Sequence, residues 1–557
     1  MKFLNGTPSA SYDVVVVGSG AGALTAAVTA AAAGKSVVVL EKASLLGGTS
    51  AVSGGMLWIA DNHLARAEGI EDSVERAGEY VRAVARGRGR DDLLDAAIGH
   101  GDDMLHFVRE TAGLEFIMLD DFPDYRQDLP GAATGGRTVE PQLFDAAQAL
   151  GDLRPHVRTD GRLPFTMQEY EKWGAFTNFP WEDLQTRQDA GLVAKGQALV
   201  SRLLAAALRF GVALAVEARA ERLVHDAGRV TGVVVDGEAI TATDAVVLAC
   251  GGFEWDRELS DGLLQSRLYT RCSPPSNTGD GYRMAQRVGA RMGSTREAWW
   301  APMSVIPGDT RDGEQVGTLL RFERQGPGSI MVNRHGERFA NESQNYNDLA
   351  RALHSWDPAN NQTLNTPAWV VVDQAHLARY GLLAHRAGQP TPAWLAEGAT
   401  LADLAAAIGV PAGALEATVA RFNGFAENGV DADFHRGESA YDKYWGDASN
   451  PYPNPSLAPL TQGPYYALPV VNGAFGTSGG VSTDGLGRVL DTDGEPIPGL
   501  FAAGNTTENA FAAGYPGAGA TLGPIMTMGY LAGRTIAGRP ASYRDAALAG
   551  TGAEAGA

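Results

Sequence analysis

A glycine-rich turn between a buried strand and a small-residue helix constrains the fold of this chain most. Residues 12–17 form a β-branched run that ends at Gly18-Ser19-Gly20-Ala21-Gly22-Ala23, residues 24–33 have a helical pattern, and residues 36–40 form a second strand-like run. This order predicts a βαβ unit. Glycines at such a turn let a pyrophosphate approach the helix N-terminus, and an acid at the end of the second strand, here Glu41, suits a ribose diol. The sequence therefore predicts a doubly wound α/β fold that binds a dinucleotide.

Charge and composition exclude several function classes. The chain has 65 Asp and Glu against 45 Lys and Arg, a net charge of −20, which disfavours nucleic acid and anionic lipid as partners. Its 2 cysteines cannot form a disulfide framework and leave a zinc site short of ligands, so we expect a reducing compartment and no metal. Neither a secretory signal nor a membrane span is visible, since the most apolar stretch is interrupted by Arg202 and Arg209. We expect a cytoplasmic protein without stable membrane insertion.

The composition changes twice along the chain. A second α/β block occupies residues 196–252, whereas residues 292–464 are rich in Trp, Tyr, Asn and Pro with scattered helical patterns. Strand and glycine-loop patterns return at 499–504. We therefore predict a discontinuous nucleotide-binding domain, residues 1–290 and 465–557, with an α+β catalytic domain inserted at residues 291–464.

A longer motif identifies the dinucleotide. Glu41-Lys42 followed by the glycine-rich segment 46–55 resembles the FAD-binding segment of the fumarate reductase and succinate dehydrogenase flavoprotein family. Segments 245–253, 277–281 and 499–504 resemble later family segments in the same order. The resemblance implies a Rossmann-like FAD-binding domain of the glutathione-reductase type. The family often attaches flavin through a His near Gly47-Gly48, and none stands there, so we expect noncovalent FAD. The FAD-binding residues that we predict are Gly18, Gly20, Ala21, Gly22, Glu41, Lys42, Gly48, Thr49, Ser50, Ser53, Gly54, Gly55, Gly251, Gly252, Asp280, Gly504, Asn505, Ala520, Thr521 and Leu522.

The C-terminal segment indicates the reaction. Residues 509–524 lack the Arg and His set with which fumarate reductases bind and protonate a dicarboxylate, and they resemble the tail of 3-ketosteroid Δ1-dehydrogenases. In those enzymes a Tyr-Pro-Gly-x-Gly motif supplies a hydroxyl and a backbone amide to a ketone oxygen, which implies these roles for Tyr515 and Gly519. Two such donors stabilise the enolate that forms when the α-proton leaves. We expect Gly519 to lack a side chain so that the ketone can reach its amide, and a helix from about Thr521 to favour reduced flavin.

Two further tyrosines complete the predicted catalytic set. Segment 328–346 resembles the part of the same dehydrogenases whose tyrosine takes the α-proton, which implies Tyr346 as the base. Because an unperturbed Tyr has a pKa near 10, we expect nearby donors to assist it, with Tyr125 of the 122–125 loop as partner. Tyr170 is the alternative partner, and each tyrosine could instead only fill the wall of an aromatic pocket. The remaining residues that we consider are Phe122, Trp299 and Phe511 as substrate contacts, Trp300 and Phe322 as further slot residues, Asp121, Asp124 and Glu342 as supporting or solvated carboxylates, and His335 as a surface residue.

The leading hypothesis is FAD-dependent 1,2-desaturation of a 3-ketosteroid, in which a proton leaves the α-carbon and the β-carbon delivers hydride to flavin N5. The expected electron acceptor is external and quinone-like rather than NAD. Three alternatives remain: the same desaturation of a smaller cyclic ketone, a fumarate- or enoate-type reductase, and a flavin-bound scaffold without turnover.

Overall fold

The larger sheet is built around five parallel strands. In the computed structural model, which describes residues 1–6, 8–173 and 179–543, their order across the sheet is Ala213–Val216, Val37–Leu40, Ser11–Val17, Glu238–Leu248 and Pro496–Ala502. Val, Leu and Ala dominate these strands, and the residues of their paired parallel segments are mostly buried, as expected for parallel strands covered on both faces. The α/β fold predicted from the sequence is thus confirmed, with both ends of the chain contributing to one sheet.

Two helices pack tightly beside the glycine-rich turn. Helix Ala21–Ala32 follows the first parallel strand, and helix Leu522–Ile536 lies against it. A Cβ added at Gly22 would lie 3.0 Å from the carbonyl oxygen of Ile525, and one added at Gly529 would lie 2.3 Å from that of Gly22. Glycine is therefore required at this crossing, and the contact brings the C-terminal segment to the turn at the start of the chain.

A second sheet is organised around the long strand Tyr465–Thr477. This strand pairs antiparallel with Ala298–Ser304 on one side and with Ala368–Asp373 on the other, and the latter pairs with Ser329–Asn333. Residues from 465 onward thus begin in the second sheet, and the chain enters the first sheet at Arg488–Leu490. The division into domains at residues 290 and 464 stays a prediction.

The remaining elements complete these two sheets, form smaller sheets or are helices. The other strands are Lys2–Phe3, Leu57–Trp58, Phe116–Leu119, Thr138–Pro141, Phe144–Asp145, Leu192–Val193, Ala220–Asp226, Arg229–Val235, Thr270–Arg271, Thr310–Arg311, Glu314–Gln315, Thr318–Leu319, Trp356–Asp357, Gln362–Thr363 and Ala396–Gly398. The other helices are Gly48–Ala51, His63–Ala67, Val74–Ala85, Asp91–Gly99, Gly101–Glu110, Ala146–Leu150, Gly151–His156, Met167–Lys172, Trp181–Asp189, Lys195–Arg209, Arg257–Leu263, Asp280–Arg287, Phe322–Gln325, Tyr346–Ala352, Gln374–Tyr380, Leu401–Ile408, Ala412–Asn428, Ala440–Tyr444 and Gly504–Thr506. Within the described residues, no helix combines the length and the apolar character that a bilayer crossing needs.

Candidate active site

One cavity of about 680 Å³ connects the glycine-rich turn with the predicted catalytic tyrosines. Gly18 and Glu41 line one part of it, and Tyr125, Tyr346 and Tyr515 line another. The segments that supply these residues are far apart in the chain and meet where the first sheet, the second sheet and the C-terminal helix converge. Such a cavity has the size and the mixed lining of a site for a cofactor and a small organic substrate.

The three tyrosines form a triangle of aromatic rings. The ring centroids of Tyr125 and Tyr346 are 5.8 Å apart, those of Tyr125 and Tyr515 are 5.5 Å apart, and those of Tyr346 and Tyr515 are 5.5 Å apart. Trp299 packs edge-on against Tyr515 at 5.2 Å, and Phe475 packs against Tyr346 at 5.2 Å. Three phenols therefore share one aromatic-walled space, although more than 160 residues separate Tyr346 from either partner in the sequence.

Backbone hydrogen bonds fix two of these tyrosines relative to each other. The amide of Tyr125 donates to the carbonyl oxygen of Pro516 at 2.9 Å, and the hydroxyl of Tyr80 donates to the same oxygen at 2.6 Å. The neighbouring Asp124 is buried and accepts from Trp58 Nε1 at 2.8 Å and from Arg137 at 2.7 Å. The loop that carries Tyr125 is thus bound directly to the segment that carries Tyr515.

Tyr515 and Gly519 both present donors at the cavity wall. The Tyr515 hydroxyl lies 3.1 Å from Thr521 Oγ1, and within the described chain the amide of Gly519 donates to no protein acceptor. Gly519 has φ +88°, and an added Cβ would lie 2.6 Å from the backbone of Leu57. Glycine is therefore required here by the backbone conformation and by packing against residues 56–57, which differs from the reason expected from the sequence.

The ionisation of the phenols follows from their burial. Burial raises the pKa of Tyr346 well above its ordinary value, and the neighbouring phenols of Tyr125 and Tyr515 raise it further. The pKa values of Tyr125 and Tyr515 are also raised by burial, but their contacts with Tyr346 oppose this effect. The contacts with Tyr125 and Tyr515 thus do not lower the pKa of Tyr346, contrary to our expectation. They favour the phenolate forms of Tyr125 and Tyr515 instead.

The glycine-lined part of the cavity fits a dinucleotide. A Cβ added at Gly54 or Gly504 would meet no protein atom within 4 Å, and one added at Gly48 would meet only the Cα of Gly20 at 4.0 Å. These positions therefore form a cradle that is open on its inner side. By contrast, Gly18 has φ +105° and its Cβ would lie 2.3 Å from the carbonyl oxygen of Ala249, so this glycine serves the turn itself.

The polar residues at the far end of the cradle are held by one another. Glu41 accepts from the Ser19 hydroxyl at 2.6 Å, and its oxygens keep lone pairs for a diol because a carboxylate has about four acceptor sites. Lys42 donates to Asp280 at 2.7 Å and to Thr278 at 2.6 Å. Asp280 of the predicted 277–281 turn therefore lines the cavity as the partner of Lys42.

The cavity contains most of the predicted site residues, but not all. Gly252 packs against Thr477, Ala520 lines a smaller neighbouring cavity, and Phe511 is fully buried against the edge of Trp58 at 6.4 Å. Phe511 is thus a core residue behind the site, since its ring fills the hydrophobic cluster under the C-terminal segment. The predicted residues that do line the cavity are Gly18, Gly20, Ala21, Gly22, Glu41, Lys42, Gly48, Thr49, Ser50, Ser53, Gly54, Gly55, Phe122, Tyr125, Gly251, Asp280, Trp299, Tyr346, Gly504, Asn505, Tyr515, Gly519, Thr521 and Leu522.

Several considered residues lie elsewhere. Trp300 is buried and donates to Glu297 at 3.0 Å, because it faces away from the cavity on the same strand as Trp299. Glu342 is not a solvated carboxylate: it is fully buried and paired with Arg338 at 2.7 Å. Asp121 and His335 are exposed.

Sequence reasoning missed other cavity residues. Tyr441 packs against Tyr125 at 4.9 Å, and Trp445 follows it on the next turn of the chain. Two basic residues, Lys195 and Arg321, also line the cavity and were missed. Tyr170 and Phe322, which were considered from the sequence, line it as well. The spacing of four residues between Tyr441 and Trp445 could have predicted that both lie on one face of a helix. Nothing in the sequence, however, indicated that this face contacts Tyr125.

Comparisons with known proteins agree with this geometry. A family model described as FAD binding domain matches residues 13–522. The chain is 70% identical over its full length to 4-oxocyclohexanecarboxylate 2-dehydrogenase of Sinomonas cyclohexanicum, covering 98% of that protein. It is 36% identical to 3-oxosteroid 1-dehydrogenase of Mycolicibacterium smegmatis, with 96% of this chain and 98% of that protein covered. Among solved structures, 3-ketosteroid delta1-dehydrogenase from Sterolibacterium denitrificans in complex with 1,4-androstadiene-3,17-dione matches with a TM-score of 0.88 and 37% identity, over 95% of this chain and 100% of that one.

The fold, the cradle and these relatives define the class: the protein is an FAD-dependent oxidoreductase that acts on CH–CH groups. The chain belongs to the FAD-binding domain family of flavoproteins, whose model matches most of its length.

Proposed function

We propose that this protein desaturates a small cyclic ketone that carries a carboxylate, of the 4-oxocyclohexanecarboxylate type. The observation that carries the proposal is the triangle of Tyr125, Tyr346 and Tyr515 in the cavity that the glycine cradle also lines. A base and two donors to a ketone oxygen are the groups that α,β-desaturation needs. The relative at 70% identity acts on such a ring, whereas the steroid enzymes are about half as similar.

Each residue of the site has a separate role in stabilising the enolate or in moving the proton. Tyr515 and the amide of Gly519 donate to the ketone oxygen as negative charge develops there. Tyr346 takes the proton from the α-carbon, and Tyr125 shares that proton because the two phenols are hydrogen-bonded to each other. Bound FAD supplies the acceptor for the hydride that leaves the β-carbon. Because burial raises the pKa of Tyr346, the phenolate does not accumulate at neutral pH. Tyr346 therefore has to release its own phenolic proton, by way of Tyr125, before it accepts the proton of the α-carbon.

The proposal retains noncovalent FAD. No histidine of the described chain lines the cavity, and the two cysteines that do are poor nucleophiles, since burial raises the pKa of Cys250 to about 11 and that of Cys272 to about 12. A quinone-like external electron acceptor and a cytoplasmic location complete the proposal.

Desaturation of a 3-ketosteroid is the second candidate. The similarity to a steroid-bound enzyme at a TM-score of 0.88 favours it, because the same donors and base would serve a fused-ring ketone. Both candidates use one chemical step and differ in the substrate that fills the rest of the cavity.

Anaerobic flavin reduction distinguishes these candidates. The purified holoenzyme is mixed without oxygen with 4-oxocyclohexanecarboxylate, with a 3-ketosteroid, or with fumarate after chemical reduction of the flavin. We expect rapid bleaching by the cyclohexanone acid and an enone product by NMR. Bleaching by the steroid alone would support the second candidate, oxidation of the reduced flavin by fumarate alone would support a reductase, and no response to any compound would contradict both desaturase proposals.

A further inference from the structure

The cavity is lined by several basic residues, and most of them have partners within the protein. Lys42 and Arg219 pair with Asp280 at 2.7 Å and 2.9 Å, and Arg162 pairs with Asp160 at 2.6 Å. Arg311 donates to the carbonyl oxygen of Cys272. These charges are therefore already compensated or engaged before a substrate enters.

Arg321 differs from them. Its guanidinium carbon lies 5.5 Å from the ring centroid of Trp445, a distance that allows a cation–π contact to hold the side chain in place. Within the part of the chain that the structure describes, no carboxylate lies within 4.0 Å of its guanidinium. Glu323 is the nearest acid in sequence, but it accepts from the backbone amide of Arg321 at 3.0 Å. Burial raises the pKa of Glu323, and the backbone amide and the charge of Arg321 act in the opposite direction, so Glu323 interacts with Arg321 without forming an ion pair with its guanidinium.

Arg321 is also close to the tyrosines. Burial dominates the pKa of Tyr125 and raises it, and the charge of Arg321 acts in the opposite direction. The same opposition holds for Tyr441 and for Tyr170. The guanidinium thus acts electrostatically on the aromatic wall of the reacting part of the cavity.

Arg311 and Lys195 are the other cavity cations without an acid partner in the described residues. Arg311 is engaged by the carbonyl oxygen of Cys272, and Lys195 is a weaker anion site. Its ammonium nitrogen lies 3.5 Å from the ring centroid of Phe165. Burial, followed by repulsion from Arg162 and Arg321, lowers the pKa of Lys195 to about 7, so near neutral pH a large fraction of this side chain is uncharged.

We propose that Arg321 binds the carboxylate of the substrate, at the side of the ring opposite the ketone. This inference rests on the proposed function. A planar guanidinium with a fork of N–H donors matches a carboxylate in two parallel hydrogen bonds. With the ketone oxygen at Tyr515 and Gly519 and the carboxylate at Arg321, a six-membered ring is held at both ends, which fixes the face that loses the α-proton and the opposite face that loses the hydride.

The same residue explains selectivity against neutral fused rings. An apolar ring system that extended to Arg321 would remove water from the guanidinium without supplying a partner, and burying an unpaired charge is costly. Arg321 therefore favours carboxylated ketones by attraction and disfavours steroids by desolvation.

Two substrates and three variants test this assignment. The substrates are 4-oxocyclohexanecarboxylate and its methyl ester, which keeps the ring and the ketone but has no charge. The variants are Arg321→Gln, Arg321→Lys and, as the control, Arg162→Gln, which removes a cavity charge that Asp160 already compensates. Anaerobic stopped-flow flavin reduction gives the apparent Kd and the limiting rate for each pair.

For the carboxylate, we expect Arg321→Gln to raise the apparent Kd by about 10- to 100-fold, the range for one charge-assisted interaction. The limiting rate should stay within about threefold, because the interaction is made equally before and during the chemical step. The ester should bind Arg321→Gln as it binds the wild type, Arg321→Lys should be intermediate, and Arg162→Gln should match the wild type.

Two outcomes overturn the assignment while the proposed function stands: wild-type turnover of the carboxylate with an unchanged Kd in Arg321→Gln, or an equal loss with both substrates, which would make Arg321 part of the chemical step or of the fold. If the wild type is not reduced by the carboxylate at all, the proposed function fails and this inference fails with it.

Discussion

Replacing Tyr515 by Phe tests the oxyanion site with a change of one hydroxyl. In the structure this hydroxyl lies 3.1 Å from Thr521 Oγ1 and also interacts with the phenol of Tyr346. Its loss therefore removes hydrogen bonds that are each worth about 0.5–1.5 kcal/mol of stability. The ketone oxygen would keep the amide of Gly519 and lose its other donor. Removal of one donor from such a site typically lowers the rate by about 10²- to 10³-fold.

The assay is single-turnover flavin reduction under anaerobic conditions, with flavin content and thermal stability measured on the same preparation. Tyr530→Phe is the matched control, since Tyr530 is also a buried tyrosine whose hydroxyl makes one hydrogen bond, 3.0 Å to the carbonyl oxygen of Ala541, but it does not line the cavity. We expect Tyr530→Phe to be somewhat less stable than the wild type and to reduce flavin at the wild-type rate. If the rate of flavin reduction in Tyr515→Phe is within about threefold of the wild-type rate, Tyr515 is not one of two donors to the ketone oxygen.

Three further predictions concern the base, the cofactor cradle and the fold. Tyr346→Phe should lower the rate of flavin reduction by about 10²- to 10⁴-fold; because burial raises the pKa of Tyr346, the wild-type rate should keep rising from about pH 7 to about pH 10 as the phenolate fraction grows, and a flat pH profile would contradict its role as base. Gly54→Val should fold, since an added Cβ meets no protein atom within 4 Å, but should be purified with much less flavin, whereas full flavin content would show that this face is not the cradle. Glu342→Gln should lower the free energy of unfolding in urea by about 3–5 kcal/mol. The exposed Glu427→Gln is its control, and equal stability of the two variants would contradict a structural ion pair.

The Glu342 prediction includes a pH dependence with a defined sign. Burial opposes ionisation of Glu342, yet Arg338 and Arg436 hold its pKa below the usual range. A carboxyl whose pKa is lower in the folded than in the unfolded state stabilises the fold above the unfolded pKa and loses that contribution as pH falls through the folded pKa. The difference in stability between wild type and Glu342→Gln should therefore shrink below about pH 4.

The parts of the fold that the sequence predicts well are those encoded locally. The β-branched run and the glycine turn predicted strand Ser11–Val17 and helix Ala21–Ala32. Residues 120–190 have little periodicity but contain elements such as Met167–Lys172 and Trp181–Asp189, since short helices over a site are held by tertiary contacts more than by their own pattern.

In the candidate site, too, the residues that stand in local motifs could be predicted, whereas the contacts between them could not. Tyr346 and Tyr515 could be predicted because each stands in a motif, but the ring contact between them depends on how two sheets meet, and no local pattern encodes that distance. Phe511 was misplaced for a related reason: it lies in the same C-terminal segment as Tyr515, yet the turn between them directs its ring into the core beside Trp58. Arg321 was missed because in the sequence it looks like an ordinary surface arginine. Its side chain is exposed, and only the structure shows that it lines the cavity and has no acid partner among the described residues.

A crystal structure of the holoenzyme with the enone product tests the central claim most directly. We expect the ketone oxygen to lie within about 2.7–3.1 Å of both Tyr515 Oη and the amide nitrogen of Gly519, with the ring against the flavin and Tyr346 beside the α-carbon. A ketone oxygen bound elsewhere, or a carboxylate in place of the ketone between Tyr515 and Gly519, would contradict it.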